Sequence, residues 1–329
     1  MTQYDSPVLV VDIGGTKIMT AVFSADGQML AKDVCPTIAN EGVDAVVERL
    51  KSTIDNLLSR HQLSTSRLAG IGIACAGGID IESGIVVTPS PNLPGWSDLP
   101  LRNIIEERFG VDTCVLNDAS SAALGEQRFG AGQGVKNLVL ITLGTGIGGG
   151  IVIDGRLYLG ARGSAGEIGH MTVDEGGPVC GCGNTGCLEV MASGRAVARQ
   201  VVSRLSQGEK SSLTEMAGDK VEDITSEQVA AAAATGDSLA LDVLSRAAHY
   251  LGVGLVNIVN AFNPEMIILG GGMAELGSLY IEPAKELVME RAFSISTQKL
   301  SIVTAQLGNE AGVYGAAAYA IEQKTGRTA

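Results

Sequence analysis

No long run of lysine or arginine occurs in this chain of 329 residues, and its formal net charge is −13. A protein that grips a phosphate backbone needs a basic face, so nucleic acid is not an expected partner. Nor is there an extended basic track to hold a polyphosphate chain. The stretch Met1 to Ser6 is polar and lacks the basic flank and apolar core of a secretory leader. The longest apolar run, Leu138 to Ile153, is broken by Gly144, Gly146, Gly148, Gly149 and Gly150. It is too short and too rich in glycine to span a membrane. A cytoplasmic protein with no membrane partner is the expectation. Two nucleotide-binding patterns are missing as well. No Gly-x-x-x-x-Gly-Lys-Ser/Thr loop occurs, and the first glycine turn is followed by a strand pattern rather than the helix of a dinucleotide fingerprint.

What is present is glycine, 44 residues of it, in a chain that is 45% hydrophobic. That length and composition suffice for two domains with their own cores. The glycines cluster beside apolar runs, which suggests tight turns around ligands. Val8 to Val11, Ile18 to Phe23 and Met29 to Val34 read as a strand meander with glycine turns. From Asp44 to Leu58 the period becomes helical, through Val47, Leu50, Ile54, Leu57 and Leu58. Ala69 to Cys75 is again a strand, so the order predicts a mixed sheet with helices on it. A second unit repeats the opening shape, with a strand from Asn137 to Thr142, a glycine turn, and a returning strand from Ile151 to Ile153. Leu241, Leu244, Leu251, Leu255, Ile258 and Phe262 mark a long helix, and Met266 to Leu269 a strand that ends in Gly270-Gly271-Gly272. Ser203 to Gln228 is polar and is expected to be an exposed excursion, whereas Ala230 to Ala234 should be helical.

Several of these residues can carry chemistry. In Asp12-Ile-Gly14-Gly15-Thr16-Lys17, glycines let backbone N–H groups face an anion, Thr16 can donate to a phosphate oxygen, and Asp12 can hold Mg²⁺ or its waters. A plain hairpin would use the same residues. Gly144-Thr145-Gly146 repeats the pattern, and two such turns between strands favour phosphate binding. Gly271 and its neighbours could pack on a nucleotide base or ribose, or could be only a turn. Asn117-Asp118 follows the strand Thr113 to Leu116 and precedes a helical stretch, Ala119 to Arg128. It could be an N-cap, or a carboxylate placed at a strand end to accept a hydroxyl proton. Asn92-Leu-Pro-Gly-Trp96 holds the sole tryptophan; it is either a surface turn or an amide and aromatic suited to a sugar.

His170, Cys180, Cys182 and Cys187 form a Cys₃His set within eighteen residues. Gly181, Gly183 and Gly186 let the chain wrap, and four protein ligands leave no open position, so a structural Zn²⁺ is expected over a redox pair at Cys180 and Cys182 or fortuitous cysteines. Glu167 and Glu189 flank the set, free to bind something else or simply solvated. Cys35, Cys75 and Cys114 lie in apparent strands and read as ordinary buried thiols.

Together these residues resemble the ROK family of bacterial sugar kinases and sugar-responsive repressors, over a span from residue 8 to near the C-terminus. Asp12-x-Gly-Gly-Thr-Lys is similar to its first phosphate motif and Leu143-Gly-Thr-Gly to its second. Gly-Glu167-Ile-Gly-His170 and Cys180-x-Cys182-Gly-Asn-x-Gly-Cys187-Leu-Glu189 are similar to its signature and zinc loop. The resemblance implies an α/β, actin-like (ribonuclease H-like) two-domain sugar kinase fold with a central cleft and a structural zinc loop. It implies a smaller domain of residues 1–117 plus 311–329 and a larger one of 118–310, with the last helix crossing back. ATP would lie on the two hairpins, at Asp12, Gly14, Gly15, Thr16, Lys17, Gly144, Thr145, Gly146 and Gly271, with Mg²⁺. A hexose would be bound by Gly78, Asn92, Asn117, Asp118, Glu167, His170 and Glu189, with Asp118 the catalytic base. His170 would serve twice, one ring nitrogen on Zn²⁺ and the other towards the sugar.

The subgroup most resembled is the bacterial glucokinases, through Pro91-Asn92-Leu-Pro-Gly-Trp96 and the Glu167–His170 motif. The implied reaction is transfer from ATP to the 6-hydroxyl of D-glucose. Ala76-Gly77-Gly78-Ile79-Asp80 stands where many such enzymes have Pro-Gly-Pro-Val-Asp, which keeps N-acetylhexosamines as alternative substrates; fructose is a further alternative within the kinases. A non-catalytic sugar sensor is a further alternative. A repressor's helix-turn-helix domain needs about 50 to 80 residues, and the first strand starts by residue 8, so none is expected. A homodimer or higher homo-oligomer is the expected assembly.

Overall fold

A computed structural model describes residues 6–88, 90, 92–218 and 220–325. In chain order the first elements are β1 (Val8–Ile13), β2 (Lys17–Phe23), β3 (Met29–Pro36), α1 (Val43–Arg60), β4 (Gly70–Cys75), β5 (Gly78–Asp80) and β6 (Ile85–Thr88). They continue with α2 (Leu101–Phe109), β7 (Thr113–Asn117), α3 (Asp118–Phe129), β8 (Leu138–Leu143), β9 (Ile147–Ile153) and β10 (Arg156–Leu157). Then follow α4 (Leu188–Ala192), α5 (Gly194–Ser206), α6 (Leu213–Ala217), α7 (Ser226–Ala234), α8 (Ser238–Phe262) and β11 (Met266–Gly270). The last are α9 (Ile281–Arg291), α10 (Ser294–Thr297), β12 (Ser301–Thr304) and α11 (Ala311–Thr325).

Two five-stranded sheets share one plan. The first runs β3-β2-β1-β4-β7 and the second β10-β9-β8-β11-β12, so each has its strands in the order third, second, first, fourth, fifth. In the first sheet β1, β2 and β3 are antiparallel neighbours, while β4 and β7 run parallel to β1. The short pair β5-β6 stands apart.

The chain divides into two compact units. One comprises Met1–Leu140, Gly150–Gly166 and Gln306–Ala329, the other Ile141–Gly149 and Glu167–Ala305. This division differs from a boundary at residue 117, because α3 packs on α11 within the first unit. Gly125 and Gly315 allow that approach: a Cβ at Gly315 would lie 1.6 Å from the Ser121 carbonyl oxygen, and one at Gly125 2.4 Å from that of Ala311.

In the first unit β1 is buried on both faces, as its continuous apolar sequence requires. Val8 and Val10 join Val313, Ala316, Ala317 and Ala320 of α11 on one side. Leu9, Val11 and Ile13 join Leu50, Ile54 and Leu57 of α1 and Ile105 of α2 on the other. This alternation is the period of two of a strand. In the second unit α8 is capped by Asp237, whose side chain accepts from the Ala240 N–H, and buries Leu244, Leu251, Leu255 and Ile258. By length and composition α8 could cross a membrane, but 56% of its most apolar window is buried inside the protein. The segment Ser203 to Gln228 is not simply an exposed excursion. It holds the end of α5, α6 and the start of α7, and Leu213 and Ile224 are buried. Two apolar side chains spaced along a polar stretch are enough to pin it.

Candidate functional site

The carboxyl ends of β1, β4 and β7 lie side by side in the first unit. Ile13 is paired with Cys75, and Cys75 with Asn117. Residues at such strand ends face the ligand side of an α/β sheet. Asp12 sits one residue before the end of β1. Loss of water and then the Asp118 charge push its carboxyl up to about 7, against the opposing pull of Lys17. It also lies against α11 at Gly312, where a Cβ would come within 2.5 Å of its Oδ2.

The glycine hairpin follows. The Gly14 N–H donates to the Lys17 carbonyl at 3.0 Å, and Thr16 is exposed at the tip. Thr37 braces the turn, its hydroxyl donating to the Gly14 carbonyl at 2.6 Å and its N–H to the Thr16 carbonyl at 2.9 Å. Asn117 caps α3 as its residue type favours: Oδ1 accepts from the N–H groups of Ala119 (2.9 Å) and Ser120 (3.1 Å). Its Nδ2 donates to the Gly77 carbonyl at 3.1 Å, so one amide hydrogen remains for a ligand. Asp118, half-buried in the first turn of α3, accepts from the Ala119 N–H at 2.8 Å.

Gly78 is buried and its N–H donates to the Thr88 hydroxyl at 2.7 Å, so it shapes the loop beneath Gly77. Asn92 is exposed and packs on Gly15. The aromatic near Asn92 does not offer a face to a sugar: Trp96 is 1% exposed, with its indole N–H directed at the Cys75 sulfur at 2.9 Å. It is drawn into the core with Leu93 and Leu101, an environment that spacing along the chain does not reveal. Pro91 lies outside the described residues.

The second unit gathers the other predicted residues. The donor atoms of His170, Cys180, Cys182 and Cys187 all lie within 4.8 Å of one another. Cys180 Sγ is 3.6 Å from His170 Nδ1, and Cys182 Sγ 3.7 Å from Cys187 Sγ. A zinc tetrahedron with bonds of about 2.0–2.3 Å has edges of about 3.5–3.8 Å, so the donor set fits one such ion. The loop is shaped by Gly183 (φ 91°) and by Gly186 (φ 64°), which packs on the Asp174 carbonyl. Asp174 is fixed in turn by the Tyr250 hydroxyl at 2.7 Å. With Nδ1 towards the thiols, His170 Nε2 lies on the side of Glu167, 3.9 Å from Oε2. Glu167 is exposed. Glu189, in the first turn of α4, accepts the Ile147 N–H at 2.9 Å and so supports the second glycine hairpin.

That hairpin is fastened from a second side. The Gly144 carbonyl accepts from the Gly194 N–H at 2.8 Å, where α5 begins, and Gly271 (φ 87°) lies against Leu143. Beside it opens a cavity of about 430 Å³ lined by Gly144, Thr145, Arg195, Glu227, Gly272 and Met273, among others. Sequence reasoning missed Arg195, Glu227 and Met273. One local signal was legible: Thr225-x-x-Gln228 is a reciprocal capping box that marks the start of α7 beside this cavity.

The fold is the actin-like, two-domain fold of the ROK sugar kinases, which solved structures of that family share with this chain. Residues 8–323 match the ROK family model, and the chain belongs to that family. A glucokinase of Halalkalibacterium halodurans is 40% identical over 306 residues, covering 93% of this chain and 92% of the relative. A xylose repressor of Caldicellulosiruptor bescii is 32% identical over 314 residues, covering 95% of this chain and 78% of the repressor. Among solved structures, the ROK family glucokinase of Streptomyces griseus in complex with glucose and AMPPNP aligns with a TM-score of 0.79 and 34% identity, covering 95% of this chain and 99% of that one.

Proposed function

We propose that this protein transfers the γ-phosphoryl group of ATP to the 6-hydroxyl of D-glucose, giving glucose 6-phosphate and ADP. The observation that carries the reading is the position of Asp118 in the first turn of α3, where its charge acts on Asp12 near the end of β1. Likeness to glucokinases at 35–40% identity supports sugar phosphorylation by ATP.

In this mechanism Asp118 accepts the 6-hydroxyl proton as that oxygen attacks phosphorus. Its bond from the Ala119 N–H fixes the carboxylate at the start of α3. Phosphoryl transfer asks chiefly for positioning and charge neutralisation. Backbone N–H groups at Gly14–Lys17 and Gly144–Gly146 serve the phosphates, and the cavity beside Thr145 and Arg195 takes the nucleoside. Asp12 would hold Mg²⁺, which supplies charge neutralisation at the phosphates; a partly desolvated carboxyl beside a second acid fits a cation. Asn92, Asn117, Glu167, His170 and Glu189 serve sugar hydroxyls. Zn²⁺ on His170, Cys180, Cys182 and Cys187 would fix the ring of His170 through Nδ1 and leave Nε2 for the sugar. A cytoplasmic location and a homodimer or higher homo-oligomer belong to the same reading.

The test is ADP release from ATP and Mg²⁺ across glucose, fructose, mannose, N-acetylglucosamine and N-acetylmannosamine, with a no-sugar control. A selective rise with glucose is expected, whereas a rise with an acetylated sugar would replace glucose as substrate. A second reading, a sugar-binding regulator, draws on the similarity to the xylose repressor. Sugar binding without ADP release from any sugar would favour it.

A further inference from the structure

Two contacts in the first unit tie the Asn92–Trp96 turn to one sheet edge. At its far end, Trp96 is buried and its indole N–H donates to the Cys75 sulfur at 2.9 Å. Cys75 ends β4 and is paired with Ile13, which ends β1 immediately before the Gly14–Gly15 hairpin. At its near end, Asn92 rests on that same hairpin. A Cβ at Gly15 would lie 2.5 Å from the Asn92 Cβ and 2.7 Å from its carbonyl oxygen. Within the turn, the Trp96 N–H donates to the Leu93 carbonyl at 3.1 Å, the Leu93 N–H to the Ser90 carbonyl at 3.0 Å, and Leu93 is 2% exposed. The residues between the two contacts therefore have their own anchor in the core.

Gly15 thus answers to two demands. Its backbone can face a phosphate, and its missing side chain makes room for the turn that carries Asn92. A shift of Asn92 presses on the hairpin, and a shift of the hairpin presses on Asn92. Trp96 on Cys75 and Leu93 in the core both hold the turn that places Asn92 over Gly15.

Resting on the reading of Asn92 as a sugar contact and the hairpin as a phosphate cradle, we infer that Trp96 is a positioning residue, held by the Cys75 sulfur, which couples sugar binding to nucleotide binding through the Asn92–Gly15 contact. Coupling of this kind is reciprocal: glucose tightens the nucleotide by the factor by which the nucleotide tightens glucose.

The experiment measures the affinity of a non-hydrolysable ATP analogue with Mg²⁺, with and without saturating glucose, in wild type, Trp96→Phe, Cys75→Val and Cys75→Ser. Glucose should tighten the analogue by about fivefold or more in wild type. Trp96→Phe and Cys75→Val remove the donor and the acceptor and should bring that factor to within about twofold of unity, with the affinity for the analogue alone little changed. Cys75→Ser keeps an acceptor and should retain the coupling, which a merely structural role for the thiol does not require. Coupling undiminished in both Trp96→Phe and Cys75→Val would overturn the inference, as would a wild type that phosphorylates glucose without coupling. A wild type that turns over no sugar would instead overturn the functional reading and this inference with it. Should the variants not fold, the chain's sole tryptophan reports directly in wild type. Its emission should shift with glucose alone and with the analogue alone, and an emission unmoved by both would sink the proposal.

Discussion

The Glu189 carboxylate accepts the Ile147 N–H at 2.9 Å, joining the helix that follows the cysteine loop to the second glycine hairpin. A Cβ at Gly146 would lie 2.3 Å from the same oxygen, so glycine there leaves room for the carboxylate in this position. A residue expected to serve the sugar thereby also supports the second glycine hairpin.

That double duty separates two substitutions. Glu189→Gln keeps an acceptor for Ile147, and its thermal stability should stay close to wild type. Glu189→Ala leaves a part-buried N–H without this partner and should cost about 1–3 kcal/mol of stability. Denaturant melts of the two variants side by side check this; equal stabilities would show that water replaces the carboxylate.

Replacing Asp118 with Asn should leave glucose affinity within a few-fold of wild type and lower turnover by about 10²–10⁴-fold. Calorimetry for binding and ADP release for turnover separate the two. Near-normal turnover would end the assignment of Asp118 as base.

Asp12 makes stability depend on pH in a defined direction. Its carboxyl is raised from 3.8 to about 7 in the folded protein. The folded state therefore holds the proton more tightly than the unfolded state, and stability falls as pH rises from about 4 to about 7. Above that range the full penalty, at most about 4 kcal/mol, is present. Without divalent cations, Asp12→Asn should melt higher than wild type at pH 8 and no higher at pH 4. Magnesium should narrow the gap at pH 8 by favouring the ionised carboxylate. Parallel melting curves that do not diverge with pH would show that Asp12 titrates as an ordinary acid.

Purified protein should contain about one zinc per chain by elemental analysis, and strong chelation or Cys187→Ser should remove it. The Michaelis constant for the sugar should then rise more than that for ATP, because zinc bound as proposed would orient the ring of His170. Unchanged sugar affinity after complete metal removal would break the link between zinc and the sugar pocket.

Local pattern carried much of this protein. The apolar run Val8–Val11, the helical period from Val47 to Leu58 and the long stripe ending at Phe262 are set by neighbours in sequence, because burial on a sheet or a helix face imposes a period of its own. The same holds for the cysteine loop: His170, Cys180, Cys182 and Cys187 are close enough along the chain for spacing alone to suggest one metal. The repetition of a glycine hairpin could be seen, and the identical strand order of the two sheets gives it a structural basis.

Tertiary structure decided what depends on distant residues meeting. Trp96 looked like a surface aromatic beside Asn92, and only the approach of Cys75 shows that it is buried. Glu189 looked like a solvated acid or a sugar contact until Ile147, far away in the chain, supplied an N–H. The segment Ser203–Gln228 looked like an exposed excursion on polarity alone, yet Leu213 and Ile224 anchor it, and Thr225 and Glu227 line the cavity beside Thr145. The sequence by itself determined the strands and helices whose period it carries, the glycine hairpins and the candidate metal ligands, since these follow from periodicity and short-range spacing. Which polar group each buried donor finds, and how high Asp12 is pushed by its surroundings, were decided only by packing, because desolvation and hydrogen bonding depend on whichever residues the fold brings near.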